Sequence, residues 1–192
     1  MLEGKYQDFY NKIINKISKE KIFTDKLHTL AYGTDASFYR LIPKIVIKTD
    51  NAKEVQDIIE LSNSMNLSIT FRAAGTSLSG QAISDSILII TSINFSNFKI
   101  APDVSYISLE PALTGAQVNG LLARYSKKIG PDPASINAAM IGGIAANNAS
   151  GMCCGIAQNS YKTVESMKLF KRILFNYLFS NGDAHFKNFS LI

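Results

Sequence analysis

A segment rich in glycine, alanine and hydroxyl side chains follows a short apolar run and has the composition of an anion-binding loop. The apolar run occupies residues 67–71, and the segment continues over residues 72–80 as Arg-Ala-Ala-Gly-Thr-Ser-Leu-Ser-Gly. A phosphate group needs backbone amides that can approach it closely, and bulky branched side chains prevent that approach. The hydroxyl groups of Thr76, Ser77 and Ser79 can donate further hydrogen bonds to the same anion.

The same residues exclude two widespread phosphate loops. A P-loop requires the pattern GxxxxGK[ST], and no lysine follows Gly80. The dinucleotide-binding pattern GxGxxG does not occur in the chain either. Arg72 could have either of two roles, because its charge can serve the anion or its side chain can anchor the loop. A tight surface turn accounts for this composition equally well, so the segment alone does not establish a binding site.

A second stretch of small residues strengthens the interpretation as a binding site. It begins with Pro-Asp-Pro-Ala-Ser at residues 131–135 and continues with Ile-Gly-Gly-Ile-Ala-Ala-Asn-Asn-Ala-Ser-Gly at residues 141–151. A loop of this length is usually functional or disordered, and its spaced isoleucines argue against disorder. Backbone that wraps closely around a large flat ligand has this composition, so we expect residues 141–151 to form a ligand-binding loop.

Hydrophobic patterns predict the elements that position these loops. Apolar residues at three- and four-residue spacing predict an amphipathic helix over residues 3–20. Two capping signals, Asn51 with Glu54 and Thr114 with Gln117, predict the starts of two more helices. The predicted order β-α-β-loop-β-β-α indicates an α+β domain. Strands are predicted at residues 44–48, 67–71, 87–91 and 105–110, and a strand-like pattern spans residues 161–170.

Composition and charge point away from nucleic-acid and membrane proteins. The 192 residues include 46% hydrophobic and 18% charged residues, which is typical of a globular domain. The net charge is +5, and the lysines of the first 26 residues alternate with acidic residues as on a solvated helix face. We expect no nucleic-acid partner, no membrane span and no signal peptide. The protein is therefore expected to be cytoplasmic, or attached to a membrane only through other parts or partners.

The two cysteines, Cys153 and Cys154, are adjacent. Adjacent cysteines rarely form a disulfide because the ring is strained, and two ligands are too few for a zinc site. We therefore expect reduced thiols and no bound metal, which agrees with a reducing compartment.

Both loops resemble parts of a known cofactor-binding domain. Residues 71–81 resemble the pyrophosphate loop of the FAD-binding domain shared by vanillyl-alcohol oxidase, p-cresol methylhydroxylase and their relatives. Residues 130–135 and 141–151 look like the next FAD-contacting segments of that family. The motif Asp-Ala-Ser-Phe-Tyr-Arg at residues 35–40 is similar to the segment that precedes them. The resemblance covers residues 23–169 and is greatest to the D-lactate and D-2-hydroxyglutarate dehydrogenases.

This resemblance implies a p-cresol methylhydroxylase-type α+β fold in which two subdomains hold an extended FAD. Many relatives attach FAD covalently through a histidine of the pyrophosphate loop, and Thr76 takes its place here, which implies non-covalent FAD. The pyrophosphate is expected on residues 74–80, and the later segments line the flavin and ribityl parts. The cofactor-binding residues that the resemblance implies are Arg72, Ala74, Gly75, Thr76, Ser77, Leu78, Ser79, Gly80, Gln81, Pro131, Asp132, Ser135, Gly142, Gly143, Asn147, Asn148, Ser150 and Gly151.

The family pattern breaks after Leu169. In the family, the rest of the second subdomain follows, and then a capping domain that supplies the substrate-binding groups and the catalytic base. We therefore expect an incomplete second subdomain and identify no catalytic residue. The predicted division is an N-terminal helix at residues 1–22, a truncated FAD-binding domain at 23–170 and an unrelated tail at 171–192.

The tail has a resemblance of its own, to the catalytic loop of HipA-type serine/threonine kinases. Asp183 and Asn188 take the places of the proton-accepting aspartate and the Mg²⁺-binding asparagine of such a loop. No phosphate-cradling loop or nucleotide lysine precedes them in kinase order. We therefore expect the tail to be an apolar cover rather than a kinase site.

The function implied is the FAD-binding portion of an oxidoreductase of the D-2-hydroxy-acid dehydrogenase type. In such an enzyme a hydride passes from the α-carbon of the acid to the flavin. A small 2-hydroxy acid is an expected partner only if a capping domain is supplied. Two alternatives stay open: a non-catalytic nucleotide-binding or pairing module that another chain completes, and an inactive or non-catalytic FAD-binding fragment fused to a HipA-like kinase remnant.

Overall fold

The computed structural model describes residues 2–152, 155 and 157–163. A short 3-10 turn, Lys19–Lys21, precedes the first strand. The helices in this part of the chain are α1 (Lys5–Ile13), α2 (Lys26–Ala31), α3 (Ala52–Ser64), α4 (Gly115–Ala123), α5 (Ile141–Ala146) and α6 (Ser160–Thr163). The strands are β1 (Ile22–Phe23), β2 (Ile45–Thr49), β3 (Ile69–Arg72), β4 (Ile87–Thr91), β5 (Phe98–Ile100) and β6 (Ile107–Leu109).

A four-stranded sheet in the order β1-β2-β4-β3 carries the first binding loop. The strands β2, β4 and β3 run parallel to one another, and β1 is antiparallel to β2. β4 has a neighbour on each side, and its residues 87–90 are buried, as a continuous apolar run in a parallel sheet predicts. Parallel strands end at one edge of a sheet, so the loop after Arg72 leaves from the edge where such sheets bind ligands.

The helices α1 and α3 cover one face of this sheet. Phe9 and Ile13 of α1 and Ile58 of α3 pack with Ile47 and Ile89 of the sheet, and all five side chains are buried. Burial of each side chain of this size stabilises the fold by about 2 kcal/mol relative to exposure. The helices α1 and α3 therefore share one apolar core with this face of the sheet.

The start of α3 is stabilised by the side chains of Asn51, Glu54 and Lys21. The Asn51 side chain accepts a hydrogen bond from the Glu54 amide at 3.0 Å, as the capping signal predicts. The Glu54 carboxylate does not complete a capping box with Asn51. It accepts a hydrogen bond from the Asp50 amide at 2.8 Å and pairs with the Lys21 ammonium at 2.7 Å.

A smaller unit follows the sheet and consists of the β5–β6 hairpin and α4. Leu113, Val118 and Leu122 form its buried core. The predicted capping box at the start of α4 is confirmed. The Thr114 hydroxyl accepts from the Gln117 amide at 3.2 Å, and the Gln117 side-chain carbonyl accepts from the Thr114 amide at 2.8 Å.

Three predicted elements differ in the structure. The helix predicted at residues 3–20 ends at Ile13, yet Ile17 beyond its end is still buried. The apolar spacing therefore correctly indicates which residues are buried, but it overestimates the length of the helix. The predicted loop over residues 141–151 contains the helix α5. Residues 160–163 are helical where residues 161–170 carry a strand-like pattern, and the rest of that pattern lies outside the described residues.

The short elements β1, α2 and β5 are not predicted by the patterns. They contain 2, 6 and 3 residues, which is too few to show a hydrophobic period. Within the described part of the chain, no helix is long and apolar enough to cross a membrane.

Candidate functional site

The loop after β3 turns at two glycines. Gly75 and Gly80 have φ angles of 73° and 72°, in the region that other L-residues adopt only with strain. A β-carbon on Gly75 would lie 2.7 Å from Cζ of Arg72, and one on Gly80 would lie 3.0 Å from the Tyr39 ring. Both positions therefore require glycine for backbone conformation and for close packing.

The Arg72 side chain turns back into the protein and binds backbone carbonyl groups. Its Nη1 atom donates to the carbonyl oxygens of Thr34 at 2.6 Å, Tyr32 at 3.3 Å and Ala82 at 3.4 Å. The guanidinium also lies over the Tyr32 ring, 5.7 Å from its centre. Burial lowers the pKa of Arg72, and the negative charge of Asp35 opposes that shift. Nη1 of Arg72 therefore anchors the backbone around the loop.

Asp35 also binds backbone next to this loop. Its carboxylate accepts hydrogen bonds from the amides of Ser37 at 2.8 Å and Ala82 at 3.3 Å. Burial acts to raise the pKa of Asp35, but the hydrogen bonds from Ser37 and Ala82 and the charge of Arg72 outweigh it and hold the pKa below its usual value. The amide of Ala36 donates to the Gly75 carbonyl at 3.0 Å.

The tip of the loop presents its backbone amides. Within the described residues, no atom accepts a hydrogen bond from the amides of Gly75, Thr76, Ser77 or Leu78. The Ser77 hydroxyl is used inside the loop, where it accepts from the Ser79 amide at 3.2 Å and the Gln81 amide at 3.3 Å. Consecutive free amides beside glycines of positive φ are a donor set for the oxygen atoms of a phosphate.

The structure brings the two predicted segments together. A β-carbon on Gly143 of α5 would lie 3.3 Å from the β-carbon of Ala73, so the helix rests against the start of the loop. The Gln81 side-chain amide donates to the Asn147 side-chain carbonyl at 3.2 Å and joins the two segments directly. On its other side α5 meets Pro111, because a β-carbon on Gly142 would lie 2.7 Å from the Pro111 β-carbon.

An open cleft of about 430 Å³ lies beside the end of α5. Asn148 has a φ angle of 46°, and its side-chain carbonyl accepts from the Tyr161 amide at 3.0 Å. The Asp132 amide donates to the Ser150 carbonyl at 3.2 Å, which brings the 131–135 segment to the same place. The residues lining the cleft are Pro133, Asn147, Asn148, Ala149, Ser150 and Gly151.

Some predicted cofactor-binding residues serve the packing around the cleft. Pro131 is buried, and Ser135 is exposed, with its carbonyl accepting from the amides of Ala138 and Ala139 at 2.8 Å and 2.7 Å. Gly151 lies against Asp132 so closely that a β-carbon would overlap it. Pro131, Asp132 and Ser135 do not line the cleft.

Two contributors to the site are absent from the residues predicted from the sequence. Asp35 belongs to the quoted 35–40 motif, but no pattern indicates that its carboxylate reaches Ala82. Ser160 is buried, and its hydroxyl lies 3.0 Å from the Ile144 carbonyl and 2.9 Å from the Ala149 carbonyl, where it holds the end of α5. A single serine carries no sequence signal for such a role. Among the described residues, no group of three or more His, Cys, Asp or Glu side chains could hold a metal ion.

A family profile described as "FAD binding domain" matches residues 43–172. The chain belongs to this family. The predicted FAD-binding fold and the predicted FAD cofactor are thereby confirmed. The division into residues 1–22, 23–170 and 171–192, the cytoplasmic location and the roles of individual cofactor-binding residues stay predictions.

Curated relatives include an oxidase subunit and a dehydrogenase that act on 2-hydroxy acids, by the names they carry. The glycolate oxidase subunit GlcD of Escherichia coli (strain K12) is 28% identical over 139 residues, which cover 67% of this chain and 27% of GlcD. The D-2-hydroxyglutarate dehydrogenase of Pseudomonas putida is 23% identical over 150 residues, covering 76% of this chain and 15% of that enzyme. The chain therefore spans about a quarter or less of the length of these relatives.

Solved structures share the fold. An alkyldihydroxyacetonephosphate synthase superposes with a TM-score of 0.70 at 16% identity, covering 82% of this chain and 33% of the synthase. p-Cresol methylhydroxylase superposes with a TM-score of 0.64 at 15% identity, covering 78% and 30% of the two chains. The kinase-like resemblance of the tail receives no support from the proteins compared, and its residues lie outside the described part of the chain.

Proposed function

We propose that this chain holds FAD with the pyrophosphate on residues 74–80. The observation that carries the proposal is the run of free amides from Gly75 to Leu78, beside glycines of positive φ at the carboxyl end of β3. Pyrophosphate oxygens accept several hydrogen bonds at once, and small residues let them approach the backbone. The cleft formed by residues 147–151 with Pro133 adjoins this loop through Gln81, and it would receive the flavin and ribityl parts.

We also propose that the FAD is bound without a covalent link. The support is Thr76, which stands where covalent relatives carry the linking histidine. Both histidines of the chain lie elsewhere in the sequence, and His28 is engaged by the Asp25 carboxylate at 2.8 Å and stacked on Phe23. Affinity must then come from hydrogen bonds and packing alone.

The reaction that we propose for the whole protein is the oxidation of a 2-hydroxy acid of the D-lactate or D-2-hydroxyglutarate type. The support is the activity named for the relatives, a glycolate oxidase subunit and a D-2-hydroxyglutarate dehydrogenase. Bound FAD supplies the acceptor for the hydride, while the protein binds and orients it. None of the six residues that line the cleft has a side chain that titrates near neutral pH. In this proposal the cleft binds the cofactor, and the base that abstracts the proton comes from outside these six residues.

Titration of the purified protein with FAD tests the cofactor proposal. We expect saturable binding, seen as a change in flavin fluorescence, and release of all flavin into the supernatant on acid precipitation. Failure to bind would contradict the FAD proposal, and flavin retained in the pellet would contradict the non-covalent one. With D-lactate or D-2-hydroxyglutarate and an artificial acceptor, we expect little turnover. The residues that line the cleft offer no base, and proton abstraction contributes a large part of the rate.

A further inference from the structure

The pyrophosphate loop, residues 74–80, is attached near both of its ends to the earlier segment that contains Asp35 and Ala36. At the first end, the Gly75 carbonyl accepts from the Ala36 amide at 3.0 Å. At the other end, Ala82 is bound on both sides of its peptide: its amide donates to Asp35 at 3.3 Å, and its carbonyl accepts from Arg72 at 3.4 Å. The free amides of the tip lie between these two attachments.

Asp35 and Arg72 both form hydrogen bonds to protein backbone. Nη1 of Arg72 binds the carbonyls of Tyr32 and Thr34 as well as that of Ala82, and the guanidinium fills the space beside Gly75. The Asp35 carboxylate carries a negative charge, which would repel a phosphate, and it is turned to the amides of Ser37 and Ala82. Both carboxylate oxygens of Asp35 and Nη1 of Arg72 are therefore engaged by protein backbone.

We propose that Asp35 and Arg72 are positioning residues that order the pyrophosphate loop before FAD binds, acting through the backbone of Gly75 and Ala82. Ordering a loop at the moment of binding reduces affinity, and a loop ordered in advance avoids that loss. The inference deepens the proposed function, on which it rests for the identity of the ligand. It assigns to Asp35 a role in cofactor binding and gives Arg72 an indirect one.

The test combines amide hydrogen exchange of the FAD-free protein with FAD titration, for Asp35→Asn and Arg72→Lys. The chain offers close controls. Asp103 accepts from the Ser105 amide at 3.2 Å in the same Asp-x-Ser turn as Asp35, and Arg124 lies over Tyr125 at 4.9 Å as Arg72 lies over Tyr32. The control variants are Asp103→Asn and Arg124→Lys.

We expect exchange at the amides of Ala36 and Ala82 to accelerate about tenfold in both test variants, and the dissociation constant for FAD to rise about tenfold, with the controls unchanged. Faster exchange with unaltered FAD affinity would overturn the proposal, as would weaker FAD binding with unaltered exchange, which indicates direct contact. If the parent chain binds no FAD, the proposed function fails, and the exchange data still decide whether Asp35 and Arg72 order the loop. Should Arg72→Lys fail to fold, the milder Asp35→Asn decides the same question.

Discussion

The two halves of the site have similar compositions but are held by different forces. The pyrophosphate loop, residues 74–80, is anchored by the charged groups of Asp35 and Arg72, which bind backbone amides and carbonyls. The segment from α5 to α6 is held by close contacts of small residues and by neutral hydrogen bonds such as those of Ser160. Charged anchors order a loop that keeps its amides free, whereas the first amides of α5, those of Ile141 and Gly142, donate to the carbonyls of Leu113 and Pro111.

The glycines of the two halves differ in the same way. Gly75 needs its positive φ of 73°, a conformation that costs other residues about 1–2 kcal/mol. Gly142 has no such backbone requirement and is needed for space, since a β-carbon there would lie 2.7 Å from the Pro111 β-carbon. Glycine is thus needed for backbone conformation in one segment and for space in the other, and substitutions can separate these two requirements.

The largest effect is expected from Gly75→Ala. The added β-carbon both strains the backbone and displaces the anchored Arg72 guanidinium, which lies within 2.7 Å of it at Cζ. We expect the dissociation constant for FAD to rise about a hundredfold, measured by fluorescence titration. The matched control is Gly120→Ala, because Gly120 lies in α4 with nothing within 4 Å of a β-carbon. Equal affinity of the two variants would show that the loop does not bind FAD.

A smaller effect, on stability rather than affinity, is expected from Ser160→Ala. The change removes a buried hydroxyl that lies 3.0 Å from the Ile144 carbonyl and 2.9 Å from the Ala149 carbonyl. We expect the free energy of unfolding to fall by about 1–2 kcal/mol in a urea titration. Ser64→Ala is the control, since the Ser64 hydroxyl makes the same kind of bond to the Leu61 carbonyl on an exposed helix surface. If both variants lose equal stability, burial of Ser160 contributes nothing.

The smallest expected effect is a pH dependence of the contribution that Asp35 makes to stability. The pKa of Asp35 is lower in the folded chain than in the unfolded one, so its contribution is fully present above the unfolded pKa of about 3.9 and is lost as the pH falls through the folded value. The difference in unfolding free energy between the parent and Asp35→Asn should stay constant between about pH 7 and 5 and shrink below about pH 4. The difference for Ser160→Ala should not change over this range, because a hydroxyl does not titrate there. If the difference in unfolding free energy for Asp35→Asn did not depend on pH, Asp35 would not anchor the loop through its charge.

Local signals in the sequence predicted those parts of the fold that neighbouring residues decide. The helix starts at Asn51 and Thr114 follow from side chains three residues apart, and the buried strand at residues 87–90 follows from an apolar run. The helix α5 was not predicted, because glycine and alanine in a row show no polar and apolar faces. The bend after Ile13 was not predicted either, because burial of Ile17 continues the helical spacing beyond the end of the helix.

The sequence by itself determined the family and the cofactor through its resemblance to known FAD-binding segments. Composition alone marked the two segments rich in small residues, because a phosphate requires small residues in the backbone beside it. Only the tertiary structure decided which amides stay free and what holds them in place. Asp35 lies 47 residues before Ala82, and Gln81 lies 66 residues before Asn147, so these contacts exist only once the chain has folded. The backbone contacts of Arg72 were decided in the same way. A guanidinium serves an anion and a cluster of carbonyls equally well, and the carbonyls of Tyr32, Thr34 and Ala82 come together only around the folded loop.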